Sequence, residues 1–125
     1  QPVLGICLGM QLMCAHSEEN DTHCLGIFDE TVKLFTPKNN EKVPHMGWNS
    51  LTLSNSWIDP TLNDQFVYFV HSYYVPVNSH TSAITEYILP FSSAMKKDNF
   101  YAVQFHPEKS ATEGEKVLLS FLNIS

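Results

Sequence analysis

Apolar and polar positions along the chain follow two periods, dividing it into a strand–helix opening, a long run of strands and a closing helix. Residues 2–6 are short, apolar and stopped by glycine, which predicts a buried strand. From residue 8 to about 16 the good helix formers Met10, Leu12, Met13 and Ala15 predict a helix. Residues 17–26 are polar and turn-like. Residues 31–35 alternate as a strand does, and 37–42 form a polar loop. The stretches 47–54, 66–70, 73–77, 82–88 and 100–105 read as strands from their β-branched and aromatic content and the Asn, Ser, Asp and Pro around them. Residues 91–96 are ambiguous by pattern, and form a strand if Lys97-Asp98-Asn99 is a turn leading to Phe100. Thr112 and Glu115 fit a capping box ahead of Val117, Leu118, Phe121 and Leu122, an apolar stripe at helical spacing. No repeat, low-complexity segment or linker interrupts the pattern. One α/β domain with an antiparallel portion is expected over residues 1–125.

Composition narrows the class. Hydrophobic residues make up 43% of the 125 and charged ones 16%, as in a globular chain. The net charge is −6 and the 7 basic residues do not cluster, so no phosphate-tracking surface for nucleic acid is present. The longest apolar runs fall far short of a membrane span. Three cysteines without framework spacing fit a reducing compartment, so a cytoplasmic location is expected.

Two short strings carry chemistry. In Gly5-Ile6-Cys7-Leu8-Gly9 a strand feeds a helix through G-x-C-x-G, the geometry of a nucleophile elbow. Gly5 and Gly9 are expected to remove Cβ atoms that would collide as strand and helix approach. Cys7 would sit at a helix N-terminus, which favours a thiolate. The Leu8 N–H would point to where an oxyanion forms, a donor whose loss costs about 3–4 kcal/mol of barrier. A free cysteine buried in a turn accounts for the same residues, and the elbow alone leaves both readings open. The second string is AVQFHPEKS, residues 102–110. His106 ends a strand and Glu108 lies two residues on, so in an extended segment held by Pro107 their side chains leave on one side. An imidazole to take a thiol proton and a carboxylate to orient it are what a cysteine nucleophile requires. The two strings together favour a cysteine hydrolase or acyl transferase using Cys7, His106 and Glu108.

With GICLGMQ and AVQFHPEKS, the chain resembles the class I glutamine amidotransferases, whose elbow cysteine and terminal H-P-E form a triad. VPHMGWN, FVHSYYV and the lysine after H-P-E resemble one branch of that family, the glutaminase subunits of imidazole glycerol phosphate synthases in histidine biosynthesis. The resemblance implies a flavodoxin-like sheet with an antiparallel portion. It implies that Cys7 attacks the side-chain amide of glutamine, with His106 as base and acid and Glu108 orienting it. Leu8, Gln11, Ser72 and Tyr73 match substrate-binding positions, and Glu19, with Glu18 as a competitor, could answer the substrate's α-amino group. Met46, Trp48 and Lys109 match positions facing a (β/α)8 cyclase subunit that receives the ammonia, although Trp48 also suits a core position. His45 and His71 suit either the site or a structural role. No cofactor or metal is implied.

The resemblance begins at the elbow strand. The family's opening strands, including the glycine-rich loop that supplies a second oxyanion donor, are therefore expected to lie outside these residues, as in the later segment of a longer glutaminase. Three alternatives remain open from the residues. Cys14, His16, His23 and Cys24 are close in sequence but lack zinc-site spacing. Another amidotransferase pathway would share the triad, and a non-catalytic interaction module would share the fold.

Overall fold

The computed structural model describes residues 1–124. Strand β1 (Val3–Ile6) runs into helix α1 (Leu8–Leu12) as the apolar run and glycine stop predict. The helix then ends early, because residues 14–17 form strand β2 (Cys14–Ser17). Five helical residues lack the length to sustain themselves by propensity, and β2 finds partners on both sides. It pairs in parallel with β4 (Phe28–Leu34) and antiparallel with β3 (Thr22–His23). Tertiary pairing has overridden local preference here.

Next come β5 (His45–Ser50), β6 (Thr52–Leu53), β7 (Phe66–His71) and β8 (Tyr73–Tyr74). β9 (Thr81–Tyr87), β10 (Leu89–Lys97), β11 (Phe100–Val103) and helix α2 (Ala111–Leu122) complete the chain. The strand expected over 47–54 is two, split at the buried Leu51, with β5 paired to β7 and β6 to β9. The strand expected over 73–77 is cut to two residues. Pro76 has no N–H to offer a ladder, and the carbonyls of Val75 and Pro76 accept instead from the N–H and hydroxyl of Ser92. The ambiguous stretch 91–96 lies within nine-residue β10, joined to β11 by a turn in which Asp98 has φ +54°.

The larger sheet has the order β1-β11-β10-β9-β6, parallel only between β1 and β11. A second sheet has the order β3-β2-β4-β8, and β5 and β7 form a two-stranded ribbon. Phe35, Phe69, Phe91 and Phe105 are all buried and meet in one aromatic cluster. Each fully buried phenylalanine stabilises the fold by roughly 1.5–3 kcal/mol, more than any exposed polar contact. Met10, Met13, Phe28 and Met95 form a second core that includes the buried face of α1.

The expected capping box does not form at the start of α2. Ser110, not Thr112, is the N-cap residue, and its hydroxyl caps no helical N–H. It donates to the His106 carbonyl and accepts from the Tyr68 N–H, tying the turn after β11 to the ribbon. The apolar stripe is also narrower than the spacing predicts: Val117 is fully buried and Leu122 is 62% exposed. Where α2 crosses the turn over residues 107–109, a Cβ on Gly114 would lie 1.9 Å from the Pro107 carbonyl oxygen, so only glycine fits. No helix among the described residues is long and apolar enough to cross a membrane.

Candidate active site

Cys7 stands at the junction of β1 and α1 with φ +53° and ψ −104°, a conformation that non-glycine residues rarely adopt. Such backbone strain costs of order 1–3 kcal/mol and concentrates at functional turns. The elbow is held by its neighbours. The Cys7 N–H donates to Val103 O (2.8 Å), extending the β1–β11 pairing. Of the two flanking glycines, only Gly5 has the expected role, since its Cβ would lie 2.9 Å from the Gly9 backbone carbon and the Met13 side chain. A Cβ on Gly9 would meet nothing within 4 Å.

The Cys7 thiol donates to Val70 O at 3.8 Å and receives an N–H from Gln104 Nε2 at 3.5 Å. Burial pushes the thiol up from its ordinary value, ahead of the lowering by the Leu8 N–H and Gln104. The helix terminus therefore does not by itself make a resting thiolate, as the sequence led us to expect. Such a cysteine needs a base.

The base expected from the sequence lies nearby on the chain that follows β11. The segment between His106 and Glu108 is not extended: residues 107–109 form a 3-10 turn, with His106 extended just before it. The turn brings Glu108 Oε2 to 2.9 Å from His106 Nδ1. A carboxylate can only accept here, so Nδ1 carries a proton, and in the neutral tautomer Nε2 is the nitrogen with the lone pair. Burial pushes the Glu108 carboxyl up, but the His106 hydrogen bond, its own backbone N–H and nearby positive charge together bring it below its usual value. No hydrogen bond joins His106 to the thiol in this arrangement, where Val70 O holds the S–H.

Cys7, Leu8, Gln11, Glu19, Ser72 and Tyr73 line one groove together with Val70 and His71. All five of the substrate-binding positions expected from the sequence thus border the cysteine. Glu18 does not compete with Glu19, because its carboxylate accepts from the Leu34 N–H at 2.9 Å. Gln11 differs from expectation in detail: its amide nitrogen donates to Tyr73 O (3.1 Å) and to Gln104 Oε1 (3.0 Å), leaving only its oxygen for a ligand. The carbonyls of Ser72 and Tyr73 are likewise committed, to the Phe35 N–H and to Gln11 and His71.

His45 and His71 are buried side by side, His45 Nδ1 lying 3.0 Å from His71 Nε2. His71 Nδ1 meets Tyr73 O at 2.8 Å, and Asn49 Nδ2 meets His45 Nε2 at 3.3 Å. Burial lowers His45 from 6.5 to about 4. His71 falls to about 3, chiefly by burial, with the Tyr73 carbonyl opposing and His45 and His106 adding to the fall. Both rings are therefore neutral in the folded protein. Unfolded imidazoles take up protons below about pH 6.5, so the native state holds fewer protons between there and the folded values. Their contribution to stability is complete above pH 6.5 and is lost as pH falls. Thermal unfolding is expected to move to lower temperature from pH 6.5 to 4, more steeply than in His45→Asn or His71→Asn variants. Parallel pH profiles for wild type and variants would contradict this.

Met46 and Trp48 are exposed, 63% and 51%, on the outward face of β5. Across the ribbon they face Val70 and Tyr68, and Trp48 packs edge-on against Tyr68. The core position considered for Trp48 is thus not the one it takes. Lys109 is exposed on the turn next to Glu108. Among the described residues no three His, Cys, Asp or Glu side chains converge on one point, and Cys14 lies buried with its thiol pushed up to about 12, mainly by burial. Gln104, Asn49 and Ser110 were not singled out by the sequence. A glutamine set inside the apolar run before H-P-E was the signal available for Gln104, and the structure buries it completely.

A cysteine elbow thus stands beside a parallel strand pair, within electrostatic reach of a hydrogen-bonded His–Glu pair. The chain belongs to the family described as "Glutamine amidotransferase class-I", which matches residues 1–124. The chain is similar to the imidazole glycerol phosphate synthase subunit HisH of Bacteroides fragilis, 61% identical over 126 residues, covering 99% of this chain and 64% of that protein. HisH of Buchnera aphidicola is 48% identical over 127 residues, with the same coverage of each chain. The chain thus spans 64% of the length of these curated relatives. A crystal structure from Thermoplasma acidophilum, described provisionally as a GMP synthase subunit, superposes with a TM-score of 0.68 at 21% identity. It covers 98% of this chain and 56% of that one, a likeness of fold.

Proposed function

We propose that this chain is the catalytic part of a glutaminase subunit of imidazole glycerol phosphate synthase, acting through Cys7, His106 and Glu108. The observation that carries the reading is the groove at Cys7, bordered by Leu8, Gln11, Glu19, Ser72 and Tyr73 beside the His106–Glu108 pair. The thiol proton leaves Val70 O for Nε2 of His106 as sulfur attacks the side-chain amide carbon of glutamine. The Leu8 N–H receives the developing oxyanion. His106 returns the proton to the leaving nitrogen, ammonia departs, and a glutamyl thioester remains. Water, deprotonated by the same imidazole, hydrolyses the thioester to glutamate and restores the thiol. Glu108 fixes the tautomer throughout. No metal or cofactor enters these steps.

The outward face of the ribbon supports a partner reading. Met46, Trp48, Tyr68 and Val70 form an apolar surface, and the Val70 carbonyl holds the thiol. A (β/α)8 cyclase subunit docked there, with Lys109 at its rim, would receive ammonia close to where it is released. Histidine biosynthesis is the pathway supported by the 61% identical relative. The test is glutamine-driven synthesis of imidazole glycerol phosphate with the cyclase subunit. Trp48→Ala is expected to weaken subunit binding by about 30-fold, as loss of a central interface aromatic does. Ammonia-driven synthesis, which bypasses the glutaminase, should be unchanged. Unaltered binding would remove the ribbon from the interface.

A further inference from the structure

Gln104 is completely buried, immediately after β11, and its side chain spans the gap between Gln11 and the thiol. The orientation of an amide is normally a choice between two flips. Here the protein leaves none. The Tyr73 carbonyl has no hydrogen to give, so the Gln11 atom 3.1 Å from it must be nitrogen. That same nitrogen lies 3.0 Å from Gln104, which must therefore present its oxygen, and the far end of Gln104 facing Cys7 Sγ must be N–H. Tyr73 O is fixed in turn from the other side. It accepts from His71 Nδ1, which leaves His71 Nε2 to accept from His45 Nδ1 and His45 Nε2 to accept from Asn49. Asn49 is itself oriented by donating to Glu86 O at 2.9 Å.

We infer that Gln104 is a catalytic residue of the proposed glutaminase, a permanently oriented N–H donor to the nucleophilic sulfur, with Gln11, His71, His45 and Asn49 as the positioning residues that hold its direction. A donor at this place stabilises the thiolate more than the thiol, because hydrogen bonds to charged acceptors are about twice as strong. It thereby opposes the burial that holds the proton on sulfur. The other titratable or charged groups bearing on the thiol are His106, its proposed base, with Glu108 and Lys109 on the turn after β11, and Glu19 and His71 along the groove.

The inference rests on the proposed glutaminase reading with Cys7 as nucleophile, and the test reads the thiol directly, so its failure is distinguishable from failure of that reading. The rate of Cys7 alkylation by iodoacetamide is followed against pH by peptide mass spectrometry in wild type, Gln104→Met and Gln11→Met. Removing the donor, or its orienter, is expected to raise the inflection by about one pH unit, slowing alkylation at neutral pH about tenfold. An unmoved inflection in folded Gln104→Met protein would overturn the assignment. Because a buried site can unfold on substitution, a second measurement uses wild type alone. The side-chain amide resonances of Gln104 are expected to shift as Cys7 titrates and again on its alkylation, and amide signals that stay fixed through both would equally overturn it.

Discussion

Cys7→Ala protein is expected to release no measurable ammonia from glutamine, a loss of about 10⁴-fold or more in kcat, as for removal of a nucleophile from a cooperating triad. The effect is large because the sulfur has no substitute. Cys14 is buried beneath α1 and its thiol is pushed up to about 12, while the Cys24 thiol donates to Thr22 O and does not line the groove that holds Cys7. His106→Ala should cost nearly as much, since burial raises the Cys7 thiol and the proposed base that would take its proton is gone. A glutamine-like diazoketone followed by peptide mass spectrometry gives the matching structural readout. Label is expected at Cys7 alone, with Cys14 and Cys24 as internal controls. Ammonia release persisting in Cys7→Ala protein would end the triad reading.

The second large effect falls on a residue with no side chain. Gly114→Ala is expected to destabilise the protein by about 2–3 kcal/mol, in the range for overpacking at a rigid contact. The helix itself would gain from alanine by up to about 1 kcal/mol, but that gain is smaller than the clash. The obstructing atom is the Pro107 carbonyl oxygen, 1.9 Å from the new Cβ, and it is backbone. Relief requires moving either α2 or the turn that presents Glu108 to His106. Unfolding midpoints should fall by several degrees, and kcat should fall with them in the surviving folded protein. Glu115→Ala, one residue on and exposed, is the control, and a surface change of that kind stays within about 0.5 kcal/mol. Equal midpoints for the two variants would show that the crossing is looser than these contacts imply.

The elbow and the His–Glu pair were legible because each rests on local chemistry, whereas the groove residues Leu8, Gln11, Glu19, Ser72 and Tyr73 came from the family resemblance. A glycine before a cysteine and a histidine two residues from an acid declare themselves in short windows. What the sequence concealed depends on distant pairing. Nothing in residues 14–17 signals that β4 would draw them out of a helix, and nothing near Thr112 signals that Ser110 would be diverted to Tyr68. The thiol's partner was hidden for the same reason, since Val70 is 63 residues away. Glu19 and Glu18 looked equivalent until β4 claimed one of them through the Leu34 N–H. Gln104 stands inside AVQFHPEKS, two residues before the histidine. Its role appears only once Gln11 and Tyr73, from two other elements, are brought against it.

The ribbon of β5 and β7 alternates as strands do, and its two faces have different work. His45 and His71 point inward to the hydrogen-bonded chain, while Met46, Trp48 and Tyr68 turn outward. Neither strand pairs with the main sheet among the described residues. Substitutions on the outer face therefore leave the inner hydrogen-bonded chain in place, so under the proposed function partner contact and hydrolysis would drift independently in descent. The ribbon behaves as an exchangeable plug with a fixed set of pins.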